Sequence, residues 1–204
     1  MNSENINSVG ALILAAGSSD RMGTLKPFLR YDNNHLFIEK IIDSYLAIGC
    51  CHIVITIDYK NKKWLSIKNE FKEVDSVLFI HNSHPEYERF YSVQIGLLEM
   101  SDVNYCFVQN ADNPFITKTV LTTLLSRRKG NAYVVPNYLK KGGHPILLGN
   151  EVMNHVLSVD NVNSNLKEVL KECQRIDCSV NDASVLININ TPEDYKKYFG
   201  YTYD

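Results

Sequence analysis

The sequence predicts an α/β fold built on a mostly parallel sheet with helices on both faces. Three observations carry that prediction. Short apolar runs rich in β-branched residues alternate with amphipathic stretches of about ten residues, the pattern of successive strand–helix–strand units. Runs such as HIVITI at His52–Ile57 are nearly continuously apolar, as in strands covered on both faces. The chain also breaks into polar, ligand-competent loops after its first and fourth runs, and ligands of such sheets sit beyond the carboxyl ends of the strands.

The elements follow in order. Residues 9–15 read as the first strand, and a loop with Gly17 and Gly23 follows it. Residues 36–48 carry apolar side chains at a helical period and stop at Gly49. A strand is expected at 52–57, and a polar helix at 60–71 with Trp64, Ile67 and Phe71 on one side. A strand at 76–80, a loop at 81–89 and a helix at 90–100 come next. The fourth strand, 104–109, ends in Asn110-Ala111-Asp112-Asn113-Pro114. Thr117 suits the N-cap of a helix over 117–128. A strand at 131–136 leads through a glycine-containing turn at 140–143 into His144-Pro145-Ile146-Leu147-Leu148. Helices are expected at 150–157 and 164–173 and a last strand at 185–189. Thr191-Pro192-Glu193-Asp194 then opens a final helix with Pro near its first position. With no linker, repeat or low-complexity tract, residues 1–204 read as one domain.

Composition narrows the function. A formal net charge of −2 argues against a general nucleic-acid binder, so any anion site must be a local concentration of cations. No apolar run approaches the roughly 20 residues of a membrane helix. The start, MNSENINS, lacks the basic-then-apolar layout of a signal peptide, and the expected compartment is the cytoplasm. Cys50, Cys51, Cys106, Cys173 and Cys178 form no Cys-x-x-Cys pair and read as small buried hydrophobes. His81 and His84 share a loop with no third ligand nearby and read as solvated.

The first loop contains Gly17, Ser18, Ser19, Asp20, Arg21, Met22 and Gly23, with Lys26 close behind. Glycines let such a loop approach a ligand closely, its backbone N–H groups face outward, and two cations beside it favour a polyphosphate. Spacing excludes two common phosphate loops. Five residues separate Gly17 from Gly23, and Gly23 is followed by Thr24, so this is not the Gly-x4-Gly-Lys of a Walker A loop. Gly-x-Gly-x-x-Gly is absent as well.

What remains is Leu-Ala-Ala-Gly-x-Ser-x-Arg-Met-Gly-x-x-Lys, from Leu14, Ala15 and Ala16 to Lys26. It resembles the signature of the MobA/MocA-like nucleotidyltransferases, the molybdenum-cofactor cytidylyltransferase and guanylyltransferase branch. Further stretches are similar to that family. They are Ser92 with Gly96-Leu97, Asp112 in an Asp-x-Pro motif, Gly143-His144-Pro145, and the closing Asn188-Ile189-Asn190-Thr191-Pro192-Glu193-Asp194. The resemblance implies a Rossmann-like three-layer α/β/α fold of the nucleotide-diphospho-sugar transferase type. The chain departs from the family at Asn188 and Asn190, where the closing motif carries aspartates. It also departs at Glu88-Arg89-Phe90, which replaces a glycine-containing segment, and at Asp20, where a second basic residue is common.

By that resemblance, an acceptor phosphate attacks the α-phosphorus of a nucleoside triphosphate and pyrophosphate leaves. Catalytic roles then fall to Lys26, Arg21 and Asp112. Nucleotide contacts fall to Leu14, Ala15, Ala16, Gly17, Ser18, Ser19, Arg21, Met22, Gly23, Lys26 and Ser92. Gly143 and His144 lie on the acceptor side, and Asp112 with Asn190 would hold Mg²⁺. Ser92–Leu97 leans toward CTP as donor, molybdopterin is the implied acceptor, and a molybdenum enzyme is an implied partner. Two other readings stay open: a transferase acting on a sugar phosphate or another small phosphate, and a nucleotide-binding relative without catalysis. Arg89 reads equally well as a phosphate contact or as surface.

Overall fold

The computed structural model describes residues 8–17, 22–58, 61–84, 87–161 and 164–200. The expected sheet is present. Its strands are β1 (Val9–Leu14), β2 (His52–Ile57), β3 (Val77–His81), β4 (Tyr105–Asn110), β5 (Ala132–Tyr138), β6 (Lys141–Gly142), β7 (Ile146–Gly149) and β8 (Gln174–Ser179). Their order is β3-β2-β1-β4-β7-β5-β6, with β8 paired to β5. The β3-β2-β1-β4 core is parallel throughout. Because β7 runs antiparallel to both β4 and β5, β5 and its parallel partner β8 share the direction of that core. Six of the eight strands therefore point the same way, and their carboxyl ends line one rim.

Alternation along the strands splits the core into two layers. Ala11 and Ile13 of β1, Ile53, Ile55 and Ile57 of β2, and Phe107 of β4 face one side. There they meet α1 (Phe37–Leu46), α2 (Lys63–Glu70) and α4 (Lys118–Leu125). Leu12, Val54, Cys106 and Val108 face the other side and meet α3 (Glu88–Leu98), α5 (Asn150–Leu157) and α6 (Leu166–Val169). The period of two in a strand sends neighbouring side chains to opposite faces, so a run apolar on consecutive residues needs cover on both. The resulting helix–sheet–helix sandwich is the Rossmann-like arrangement.

Two segments differ from the sequence expectation. Residues 174–179, QRIDCS, are polar and mostly exposed, yet they form β8, paired in parallel along Ala132–Asn137. A strand at a sheet edge needs only one apolar face, and Cys178 and half-buried Ile176 supply it. Residues 185–189, expected as a strand, instead pass from a 3₁₀ turn at Ala183–Leu186 into an unpaired extended stretch. Asp182 caps that turn by accepting from Ser184 N, and the backbone of the segment bonds to two loops rather than to a strand. Val185 O accepts from His144 N at 2.8 Å, and Ile189 N donates to Asp112 O at 2.7 Å. Apolar content made the segment read as a strand; its hydrogen-bond partners make it a brace between two loops.

The final helix, α7 (Pro192–Phe199), begins as expected with Pro in its first turn and a reciprocal cap between Thr191 and Asp194. Tyr195 and Phe199 stack on each other and pack at a tilt against Phe37 of α1, and with Met22, Leu29 and Ile189 they form a third apolar cluster. Among the described residues no helix is long and apolar enough to cross a membrane.

Candidate active site

The parallel register sets the site. Leu14 of β1 pairs with Asn110 of β4, so the loops leaving these two strands emerge side by side. After β1, Ala15 N bonds to Thr56 O, Ala16 is half-buried and Gly17 is exposed. Ser18, Ser19, Asp20 and Arg21 lie outside the described residues. The loop re-enters through Met22, which is 2% exposed and anchored in the aromatic cluster around α7, and through Gly23 at φ +68°, a left-handed conformation suited to glycine. Met22 thus anchors the chain at its own position, and the conformation of Gly23 turns it toward Lys26.

Lys26 opens a 3₁₀ turn, Lys26–Phe28, whose Pro27 and Phe28 are buried. Phe28 packs on Trp64 of α2 with ring centroids 4.6 Å apart, fixing the backbone that carries the lysine. On the facing loop, buried Gln109 donates to Asn110 O and Asn113 O, both at 2.8 Å, and accepts from Tyr45 Oη at 3.1 Å. A glutamine at the last buried turns of a strand needs partners for every polar atom. Here it finds them in the carbonyls of the turn that presents Asp112.

The third wall comes from the carboxyl-terminal segment. The Ile189 N to Asp112 O bond draws the next residue, Asn190, to the carboxylate. Asp194 Oδ2 then accepts from both Asn190 N and Thr191 N at 3.0 Å, which orients Asn190 from behind. The Lys26 ammonium closes the arrangement, with Nζ 2.6 Å from Asn190 Oδ1 and 3.4 Å from Asp112 Oδ2. Lys26, Asp112 and Asn190, from three distant segments, therefore converge.

The donor set suits a hard divalent ion. Asp112 Oδ1 is buried with no hydrogen-bond partner among the described residues, and so is Asn188 Oδ1. A buried acceptor left without a donor is energetically unfavourable unless something else satisfies it. Among the described residues no three or more His, Cys, Asp or Glu side chains cluster as a metal cage. Mg²⁺ commonly keeps waters and substrate oxygens and takes only one or two protein oxygens, which Asp112 and Asn190 can provide.

On the opposite side lies the Gly143-His144 loop. His144 N is tied to Val185 O, and a Cβ on Gly143 would stand 2.3 Å from the same carbonyl, so only glycine permits the approach. Burial lowers the His144 pKa, and nearby Arg89 lowers it further, while Asp112 acts in the other direction. The imidazole is consequently neutral at pH 7, and its Nδ1 is buried without a partner among the described residues. Arg89, in the first turn of α3, donates to Asn110 Oδ1. Although the residue is exposed overall, desolvation of its guanidinium lowers its pKa, and Asp112 opposes that shift. The side chain remains charged at any working pH.

Two cavities flank this centre. One, of about 510 Å³, is lined by Ala15, Gly17, Leu25, Asp58, Asn61, Lys62 and Trp64, and it opens on the first loop. The other, of about 490 Å³, lies on the Gly143-His144 side and also takes in Arg89. Ser92 lines neither cavity as described. It is 4% exposed, and its Oγ accepts from Asn82 Nδ2 while Asn82 Oδ1 accepts from His84 N. Ser92 thus shapes the loop before α3 from inside. Sequence reasoning left Arg89 unassigned and did not single out Gln109 or Asn110. An amide at the end of a buried strand was the available signal for Gln109, whereas the placement of Arg89 depends on how α3 is aimed.

Fold and site together define a nucleotidyltransferase-type α/β protein, with Lys26, Asp112 and Asn190 gathered at the carboxyl rim of the sheet. The MobA-like NTP transferase domain matches residues 11–176, and the chain belongs to that family. It is 22% identical over 191 residues to the molybdenum cofactor cytidylyltransferase of Escherichia coli K12, covering 93% of this chain and 95% of that protein. It is 27% identical over 215 residues to a probable molybdenum cofactor guanylyltransferase of Natranaerobius thermophilus, covering 96% and 98%. Among solved structures, a manganese complex of Rv0371C from Mycobacterium tuberculosis H37Rv superposes with a TM-score of 0.74 at 14% identity, covering 96% of this chain and 99% of that one.

Proposed function

We propose that the protein transfers a nucleoside monophosphate from a nucleoside triphosphate, CTP by preference, to a phosphorylated acceptor, molybdopterin or the molybdenum cofactor, with Mg²⁺. The observation that carries this reading is the convergence of Lys26, Asp112 and Asn190 from three distant segments. Such transfers rely on positioning and on neutralising charge, with little covalent work for a side chain. The glycine loop with Arg21 receives the β- and γ-phosphates, and Lys26 offsets charge developing at the α-phosphate. Asp112 and Asn190 would hold the metal, which supplies Lewis-acid neutralisation of the phosphates when bound. Support for CTP comes from the Ser92–Leu97 resemblance, and support for the acceptor from the Gly143-His144-Pro145 element and from two relatives named for molybdenum-cofactor transfer. A molybdenum enzyme that receives the product and a cytoplasmic location belong to the same reading.

The test is pyrophosphate release from CTP, GTP, UTP and ATP, each with Mg²⁺ or Mn²⁺, across a panel containing molybdopterin, sugar phosphates and methylerythritol phosphate. Release with CTP and molybdopterin above all other pairs is expected. Nucleotide binding without release from any pair would identify a non-catalytic relative instead.

A further inference from the structure

The 490 Å³ cavity has an unusual lining for an acceptor site in an acidic protein. Its walls are apolar, with Phe90, Tyr133, Ile146 and Leu170 among them, and its cations are Arg89, Lys167 and Arg175. These cations are not equivalent. Arg175 donates to Asp177 Oδ1 at 2.6 Å, so its charge is already countered, and it leans over Gly142, where a Cβ would stand 2.9 Å from its Nη2. Lys167 is exposed on α6. Arg89 alone of the three also borders the turn that carries Asp112: it bonds Asn110, two residues before Asp112, and its charge acts on His144 across the cavity mouth.

Among the described residues the hydrogen-bond partner of Arg89 is a neutral amide, and no carboxylate there stands at ion-pair distance from its guanidinium, so its charge can meet an anion. Its position in the first turn of an eleven-residue helix adds the favourable end of the helix dipole. The acceptor in the proposed reaction brings a phosphate toward a triphosphate that is itself strongly negative. Like charges repel, so a cation has to stand on the acceptor side as Lys26 stands on the donor side.

We propose that Arg89 is the acceptor-phosphate ligand, gripping a phosphate whose ring-bearing body lies against the apolar walls of the 490 Å³ cavity. This inference rests on the nucleotidyl-transfer reading of the site. In the step it serves, an acceptor phosphate oxygen forms a bond to the α-phosphorus. The bond from that phosphorus to the bridging oxygen breaks, and pyrophosphate leaves with the electron pair. Arg89 keeps its protons throughout and acts by orientation and charge. An arginine fork presents two parallel N–H donors to a phosphate, which a lysine cannot reproduce.

The experiment measures binding of phenyl phosphate, inorganic phosphate and CTP by calorimetry to the wild-type protein and to Arg89→Gln and Arg89→Lys. Phenyl phosphate is expected to bind more tightly than inorganic phosphate, because only it reaches the apolar walls. Loss of a charge-assisted contact in Arg89→Gln is expected to weaken phenyl phosphate about tenfold or more. Arg89→Lys should fall between, and CTP affinity should stay unchanged in both. Equal phenyl phosphate affinity in wild type and Arg89→Gln would overturn the proposal. So would a wild type that does not bind it, or a parallel loss of CTP binding. If Arg89→Gln does not fold, the same comparison applies to Arg89→Lys. With an acceptor that turns over, its KM should rise in Arg89→Gln while the KM for CTP holds. Turnover with an unchanged acceptor KM sinks the role of Arg89 but not the transferase reading. Arg89-dependent phenyl phosphate binding with no turnover from any pair does the reverse.

Discussion

Lys26 Nζ lies 2.6 Å from Asn190 Oδ1, although 164 positions of sequence separate them. The lysine rides on a 3₁₀ turn after the first loop, and the asparagine is held by the cap of the last helix. Their meeting joins the two ends of the chain over the rim of the sheet, with Asp112 Oδ2 as the third member at 3.4 Å.

In the proposed transfer, Lys26→Ala removes the cation that offsets the charge developing at the α-phosphate. Turnover should fall on the order of a hundred- to a thousandfold. Steady-state kinetics alongside equilibrium nucleotide binding checks this, since the dissociation constant should change far less than kcat. Equal turnover would remove Lys26 from the mechanism.

Asp112→Ala deletes the one carboxylate among the converged groups, and its buried Oδ1 with it. Mn²⁺ binding, followed by electron paramagnetic resonance, is expected to be lost along with metal-dependent pyrophosphate release. Retention of wild-type Mn²⁺ affinity would assign the metal to other groups.

Asp194→Ala acts on stability and site together. It removes the acceptor of Asn190 N and Thr191 N and half of the cap of α7. Losing an N-terminal cap costs about 1 kcal/mol, which lowers the melting temperature by roughly 2–4 °C in a chain of this size. Calorimetry reads that shift. Activity should decline further than stability alone explains, because Asn190 loses the bond that orients it.

Thiol reactivity follows burial. Cys50 is buried and its thiol is pushed up to about 12, chiefly by desolvation with Cys51 adding to it. At pH 8 it therefore stays protonated and unreactive, since the thiolate is the nucleophile. Cys51 is exposed. Mass spectrometry after brief iodoacetamide treatment of the native protein should find Cys51 modified, with Cys50 and buried Cys106 untouched. Alkylation of Cys50 at the rate of Cys51 would contradict the packing beneath α1.

Much of this arrangement was legible in the sequence. The continuous apolar runs at β1, β2 and β4 define the parallel core because strands covered on both faces have no polar side to show. The Thr191-Pro192 start of α7 was readable because capping chemistry is local. Lys26 and Asp112 were readable as partners because ligand-competent loops of such a sheet share one rim. Other features depend on contacts between distant segments. Polar β8 is a strand only because β5 offers an edge, and residues 185–189 lose their strand to the carbonyl of Asp112 and the amide of His144. The inward anchoring of Met22 and Ser92 likewise depends on what surrounds them. Arg89 shows the division most plainly. Its charge is a property of the residue, but its place between Asn110 and the apolar cavity comes from the packing of α3 on the sheet, where hydrogen bonds and burial act across the fold.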